Sequence, residues 1–222
     1  MKKILLLNGA PRCGKDTMAA WFEEQGWFHG KFSKVLKERT HELYGLKNIP
    51  YDYYEGVKDL PHEDFFGISP RQAYINVSER LMKPVHGDDI WVRMFIRELE
   101  STAHDYVIVS DLGFQVEWET LIQHFGYDKI SLGVIYRAGY DFSNDSRNYV
   151  APRGPWKYIK PPGPEFGQYI MNNCWDISNG GTLDDLYKEC AKIDAAIQNN
   201  EVKPVTGRGL PIGCTDNSRM TG

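Results

Sequence analysis

An α/β fold, a mainly parallel sheet flanked by helices, is predicted by three features of this sequence. Apolar runs recur at strand length, Ile4–Leu7, Tyr106–Asp111 and Ile130–Tyr136, and such uninterrupted runs suit strands covered on both faces. Segments with helical spacing of apolar residues lie between them, and strands alternating with helices join into a parallel sheet by crossovers. The first run leads straight into Gly9-Ala-Pro-Arg-Cys-Gly14-Lys15, the spacing of a phosphate-binding loop between strand and helix.

The loop is the most informative stretch. Its glycines let backbone N–H groups curl around phosphate oxygens, and the following helix directs the positive end of its dipole at the same anion. Lys15 adds a mobile point charge for the β- and γ-phosphates. Ala10, Pro11, Arg12, Cys13, Gly14, Lys15, Asp16 and Thr17 are therefore the candidate triphosphate-binding residues. The usual pattern has Ser or Thr directly after the lysine to reach Mg²⁺, but here Asp16 takes that place and Thr17 follows. A carboxylate is also a good Mg²⁺ ligand; the other reading of Asp16 is a helix cap.

Thr17–Gln25 reads as a helix stopped by Gly26, and Phe28–Phe32 as a short extended segment. A second helix is expected to about Tyr44 with Ser33 as its cap. Residues 45–67 hold Tyr51, Tyr53, Tyr54, Phe65 and Phe66 among acids, prolines and glycines. They read as a loop pinned by its aromatics or as a mobile arm that stacks on a planar base. Ser69-Pro70-Arg71 restarts a helix, and another is expected over Asp88–Thr102 with Ile90, Trp91, Met94, Phe95 and Leu99 on its apolar face. Glu117–Phe125 is helical, Tyr169–Ile177 holds a last strand, and Leu183–Gln198 is a final helix. Residues 138–169, rich in Pro, Gly and cations, show no periodicity, and a patternless stretch this long is commonly functional or disordered. From Glu201 the composition is that of a loose tail, leaving one domain over 1–200.

The 222 residues are enough for one sizeable core, and 41% hydrophobic with 13% aromatic content excludes a disordered chain. A formal charge of −4 argues against a dedicated nucleic-acid binder. Four cysteines without metal spacing, and no stretch long enough for a signal core or membrane span, point to a soluble protein of the cytoplasm.

At the carboxyl ends of the strands, where ligands collect in such sheets, stand the loop, Asp111 and Arg137. Asp111 is placed to reach a metal beside Asp16, or to cap a helix; Glu117 follows six residues on. Neutralising a transferred phosphoryl group would fall to Lys15, Mg²⁺ and arginines of the 138–169 stretch and its edge, Arg137, Arg147 and Arg153. An acceptor with a phosphate and a base would need cations, for which Lys34, Lys37 and Arg71 are candidates, and a flat slot from Tyr51–Tyr54 or Trp91.

The ordered set of motifs resembles the bacteriophage deoxynucleoside monophosphate kinases, relatives of the P-loop phosphomevalonate kinases. It runs Asn8-Gly9…Gly14-Lys15-Asp16-Thr17, Phe32-Ser-Lys-Val-Leu-Lys37, Ser69-Pro-Arg71-Gln, Asp89-Ile-Trp91-Val and Val107-Ile-Val-Ser-Asp111 with Phe114 and Glu117. It closes with Val134-Ile-Tyr-Arg137, Asn144-Asp145 and Ile177-Ser-Asn179-Gly-Gly-Thr-Leu183. The resemblance implies a P-loop nucleotide-kinase fold with an acceptor-binding arm over about 45–87 and a lid over about 138–169. It implies transfer of the ATP γ-phosphate to a deoxynucleoside monophosphate with Mg²⁺. Lys15, Asp16, Asp111, Arg137 and Arg147 would be catalytic, with Arg137 also on ATP, and Lys34, Lys37, Arg71, Trp91, Asp111 and Glu117 would hold the acceptor. Asp16 and Asp111 would hold the metal. The chain departs from the family at Gly113, where an arginine is frequent, and at Asp145-Ser-Arg147-Asn148, where the family has a histidine-glutamate pair.

Partners are expected to be small nucleotides, with no membrane and with a homodimer left open. A kinase of hydroxymethylated pyrimidine, as nucleotide or as the base within DNA, is the alternative, and only that alternative involves nucleic acid. A nucleotide-binding module without catalysis is the third reading, disfavoured by two carboxylates on the metal side.

Overall fold

The computed structural model describes residues 2–143, 145, 147–150 and 173–199. Five parallel strands, β1 (Lys3–Gly9), β2 (Phe28–Gly30), β3 (Tyr106–Leu112), β4 (Ile130–Tyr136) and β5 (Cys174–Ser178), form one sheet in the order β2-β3-β1-β4-β5. The predicted α/β class with a parallel sheet is the observed one.

Alternation along β1 explains the three layers. Ile4 and Leu6 enter a core with helices α2 (Phe32–Leu43), α5 (Ile90–Glu100) and α6 (Gln115–Phe125). Leu5 and Leu7 point to the opposite face, into a core with α1 (Lys15–Glu24) and α7, the final helix Leu183–Gln198. Successive strand side chains face opposite ways, so one apolar run seeds both cores. Loops at the carboxyl end of β1 therefore open between its neighbours β3 and β4, the topological switch point where the strand order turns from one edge toward the other.

Residues 45–67 carry only a 3₁₀ turn, Glu63–Phe65. They are nevertheless anchored: Tyr54 and Phe65 are fully buried with Ala73 and Tyr74 in a small separate core, and His41 Nε2 meets the Tyr74 hydroxyl at 3.0 Å. Tyr54 and Phe65 thus pin this stretch to the body of the fold. Ser69 caps the next helix as expected, its Oγ accepting from Gln72 N–H, with Pro70 at the first helical position. That helix begins as α3 (Pro70–Ile75), continues as a π-helical stretch Asn76–Met82, and ends as α4 (Lys83–His86). The π stretch is unmarked in the sequence. Among the described residues no helix is long and apolar enough to cross a membrane. The 201–222 tail, residues 151–169 of the expected lid, and Arg153 within them lie outside the described residues.

Candidate phosphate-transfer site

The loop after β1 is a cradle made by backbone. Arg12 and Gly14 adopt left-handed φ values of 63° and 110°, and a non-glycine residue in this region costs about 1–3 kcal/mol. The surroundings hold that conformation: Asn179 Nδ2 donates to Cys13 O at 2.8 Å and Arg137 to Arg12 O at 3.1 Å. Gly14 is required twice over, by its φ and because a Cβ there would lie 2.4 Å from Asn179 Nδ2. A Cβ on Gly9 would lie 2.7 Å from Ile135 O. Cys13 and Ala10 are buried beneath the loop and Pro11 is exposed, so these three side chains shape the cradle without entering it.

Lys15, at the start of α1, is buried, and Nζ donates to Gly9 O and Ala10 O, both at 2.7 Å. Burial lowers its pKa. A cavity of ≈ 310 Å³ opens here, lined by Arg12, Gly14, Lys15, Asp16, Thr17 and Arg137 with Asn179 and Thr182 from the far side. Asn179 is a cradle residue that the sequence reading had not assigned a role. Asp16 Oδ1 accepts from Lys31 Nζ and Ser110 Oγ, each at 3.2 Å. Burial alone would raise the Asp16 pKa, but the Lys31 charge and these hydrogen bonds outweigh it and the net shift is downward.

The second cavity, ≈ 1040 Å³, lies over the carboxyl end of β3. Its walls come from Phe32 of α2, Tyr74 of α3, Ser78 and Glu79 of the π stretch, Trp91 of α5, and Phe114 and Glu117 at the start of α6. A π stretch widens a helix locally and is frequent at functional sites; here it turns Ser78 to accept from Trp91 Nε1 at 2.9 Å. Arg71, Lys83 and Arg147 are the cations of the lining, and each is paired: Arg71 with Asp59, Lys83 with Glu79, Arg147 with Asp145.

Asp111 lines this cavity, not the cradle. Its two oxygens accept from Phe32 N–H at 3.0 Å and Ser33 N–H at 2.9 Å, so Asp111 caps α2 from a neighbouring strand. The expected cap, Ser33, makes no such bond, and α2 begins one residue before it. Glu117 Oε2 accepts from Gly113 N–H at 2.9 Å and Phe114 N–H at 3.0 Å. Burial, with the nearby Asp111 charge adding, overrides these bonds and pushes its pKa up to about 8.

Arg147 takes the space that Gly113 leaves. A Cβ on Gly113 would lie 2.4 Å from Arg147 Cδ and 2.5 Å from its Cγ. The guanidinium is forked onto Asp145, Nε to Oδ1 at 2.8 Å and the second nitrogen to Oδ2 at 2.5 Å, and this bond holds the Asp145 pKa down at about 2. Asn148 N–H donates to Gly113 O at 3.1 Å. The segment is pinned to β1 by Asn8, fully buried, which donates to Leu112 O and Asn148 O and accepts from Val150 N–H. A polar residue ending an otherwise apolar strand was the signal for Asn8, though the reading gave it no such role.

Lys34 and Lys37 are not brought to the cavity. Lys34 Nζ lies 2.9 Å from Glu98, and Lys37 is paired with Glu55 beside the Tyr51 ring. Nor do Tyr51, Tyr53 and Tyr54 line it; Phe32, Tyr74, Trp91 and Phe114 are its aromatic rings. Of the cluster expected to offer a flat slot, Tyr54 is consumed in the small core, edge-on to Phe65 and His62, while Tyr53 is exposed.

No family model matches the sequence, and no curated protein matches it. Solved structures of similar fold include a dephospho-CoA kinase from Campylobacter jejuni, at 16% identity and a TM-score of 0.47, covering 90% of this chain and 100% of that one. A gluconokinase from Sinorhizobium meliloti 1021 matches at 10% identity and 0.42 over 89% and 95% of the two chains. A protein from Thermus thermophilus, TT1252, matches at 14% and 0.44 over 87% and 97%.

Proposed function

We infer that the chain is an ATP-dependent phosphotransferase whose acceptor is a nucleoside monophosphate. The observation that carries this reading is the pair of cavities with Arg147 between them. Its charge is felt by Lys15 on the cradle side and it feels Asp111 and Glu117 on the other. Transfer between two bound phosphates needs a donor cradle, an acceptor pocket and cations at the junction.

The triphosphate would occupy the cradle, drawing Lys15 Nζ off the Gly9 and Ala10 carbonyls onto phosphate oxygens. Asp16 and Thr17 offer the hard oxygen donors Mg²⁺ prefers, and few are needed because this ion keeps waters and takes substrate phosphates. The metal, when bound, would neutralise charge developing on the transferred group. Asp111 is less suited to it, since both its oxygens already serve α2, and its role would be to fix α2 and face the acceptor. The acceptor phosphate would be met by Arg71 and Arg147, and a base by Trp91, Phe114 and Tyr74.

The test is ADP release from ATP over a panel of ribo- and deoxynucleoside monophosphates. One acceptor raising turnover far above ATP hydrolysis alone is the expected result; no acceptor doing so sinks the reading. The second cavity lies at the upper end of the usual range of small-ligand pockets, roughly 300–1,000 Å³. That size motivates adding hydroxymethylated pyrimidine nucleotides, and DNA containing the modified base, to the same panel.

A further inference from the structure

Glu117 stands in the wall of the larger cavity with one of its oxygens spent and the other free. Oε2 accepts from the N–H groups of Gly113, at 2.9 Å, and Phe114, at 3.0 Å, so the carboxyl is fastened between the end of β3 and the start of α6. Oε1 has no hydrogen-bond partner among the described residues and is not sealed into the core, which leaves the cavity for it to face. The transfer outlined above makes no use of it.

Its neighbours belong to the part of the cavity suited to a flat group. Phe114, whose N–H it binds, gives its ring to the same wall, with Trp91 from α5 and Tyr74 from α3. The two cations nearby are engaged elsewhere: Lys83 of α4 lies 5.3 Å over the Phe114 ring and pairs with Glu79, and Arg147 is forked onto Asp145. A planar ring lying among these aromatics meets Oε1 as an unspent polar atom at its edge.

Hydrogen counting decides what that atom offers. Both backbone hydrogens go to Oε2, so a proton held by the carboxyl sits on Oε1. Burial favours the neutral form and the Asp111 charge adds to it, against the two N–H groups and Lys83, and the pKa stands at about 8. Oε1 is therefore an O–H donor at neutral pH, where an ordinary glutamate only accepts.

We propose that Glu117 selects the acceptor by its base, Oε1–H donating to a carbonyl oxygen on the base edge, so that keto bases are taken and their amino counterparts refused. An amino group in the same place brings a second hydrogen and leaves the carboxyl unmatched, the mismatch that a site built for one hydrogen bond rejects. The pairs that exchange keto for amino at that edge are deoxyuridine against deoxycytidine monophosphate and deoxyinosine against deoxyadenosine monophosphate. The selection rests on the nucleoside monophosphate reading of the acceptor.

The decisive experiment measures binding of these monophosphates to the full chain by calorimetry at neutral pH, with no turnover required. Wild type should bind the keto member of each pair about ten- to a hundredfold more tightly. Glu117→Gln keeps an oxygen for the Gly113 and Phe114 N–H groups and presents N–H in place of O–H, so the keto preference should survive. Glu117→Met, which fills the space and donates nothing, should bring each pair to within about twofold. A wild-type preference for the amino members, reversed in the Gln variant, would make Oε1 an acceptor and overturn the proposal. Pairs that wild type does not distinguish would overturn it too, as would a keto preference left intact in the Met variant. Should the Met variant not fold, the Gln variant decides alone, since loss of the preference there removes Oε1–H as its source. If no monophosphate binds, the acceptor reading falls and this selection with it. Binding in the expected order without phosphate transfer from ATP would remove the phosphotransferase reading and leave the selection standing.

Discussion

The cradle and the larger cavity sit at the same end of one parallel sheet, yet they are built from different materials. The cradle is main chain: two left-handed residues, the carbonyls that hold Lys15, and glycines whose missing Cβ atoms are the site. The cavity is side chain, drawn from helices on one face of the sheet and from Asp145 and Arg147, with every cation of its lining already matched to a carboxylate. A backbone cradle takes any polyphosphate that fits. A cavity of paired charges admits an anion only by exchanging partners, so discrimination between acceptors belongs there.

The largest effect expected is at the cradle. Lys15→Ala removes the one buried cation of the loop and should lower kcat by roughly a hundred- to a thousandfold, as loss of a group aimed at developing charge commonly does. The fold should persist, because Nζ bonds only loop carbonyls and the neighbouring Cys13 thiol. Near-wild-type turnover by a well-folded variant would show that the cradle does not hold the transferred phosphate.

Next comes the coupling of Gly113 and Arg147. Arg147→Ala should cost roughly ten- to a hundredfold in kcat/KM for the acceptor, the effect of about 1.4–2.7 kcal/mol. Gly113→Ala should cost a similar amount, since its Cβ would overlap the Arg147 stem. The double variant should be no worse than either single one, because with Arg147 gone the methyl has space. Additive losses would break the link, and an acceptor KM unmoved by both would move Arg147 out of the acceptor site.

These two regions also differ in what the sequence betrays. The loop is legible because backbone curvature imposes glycines and a lysine at fixed spacing, and nothing distant alters that requirement. The strands and the final helix are legible for the same reason, since burial on both faces and 3.6-residue periodicity are local. The cavity is not. Arg147 has its place because Gly113, far back in the chain, is empty. Asp111 reads as a metal carboxylate until α2 is seen to start against it. The π stretch has no periodicity signature, and Asn8 and Asn179 matter through partners more than a hundred residues away.

Glu117 tests whether the cavity carries a proton as well as paired charges. Its folded pKa of about 8 stands above the ordinary 4.5, so the native state binds a proton that the unfolded chain has released between those values. Stability from this group is therefore present in full below pH 4.5 and is lost as pH rises through 8. Glu117→Gln keeps an oxygen for the Gly113 and Phe114 N–H groups but cannot ionise. The Tm of wild type should fall relative to the variant across that window, and parallel Tm curves would place the group outside the cavity's low-polarity region. Catalysis should change only a few-fold unless the acceptor's base bonds the free oxygen.

The smallest effect separates the cavity from the helix surface beside it. Lys34 and Lys37 lie on α2 within a turn of Phe32 and Ser33, which do line the cavity, so proximity in sequence argues for a role in acceptor binding. Their ammonium groups instead engage Glu98 and Glu55 on the outside of the helix. Partly exposed ion pairs contribute about 0–1 kcal/mol. Lys34→Ala should thus shift the denaturation midpoint slightly and leave the acceptor KM within about twofold. A large rise in that KM would mean that Lys34 leaves Glu98 when the acceptor binds, making the cavity wall extend along α2 and its pairing looser than its resting geometry implies. The same measurement on Lys37 separates that case from a general loss of positive charge, because Glu55 is shared with Lys58 and keeps that cation when Lys37 is removed.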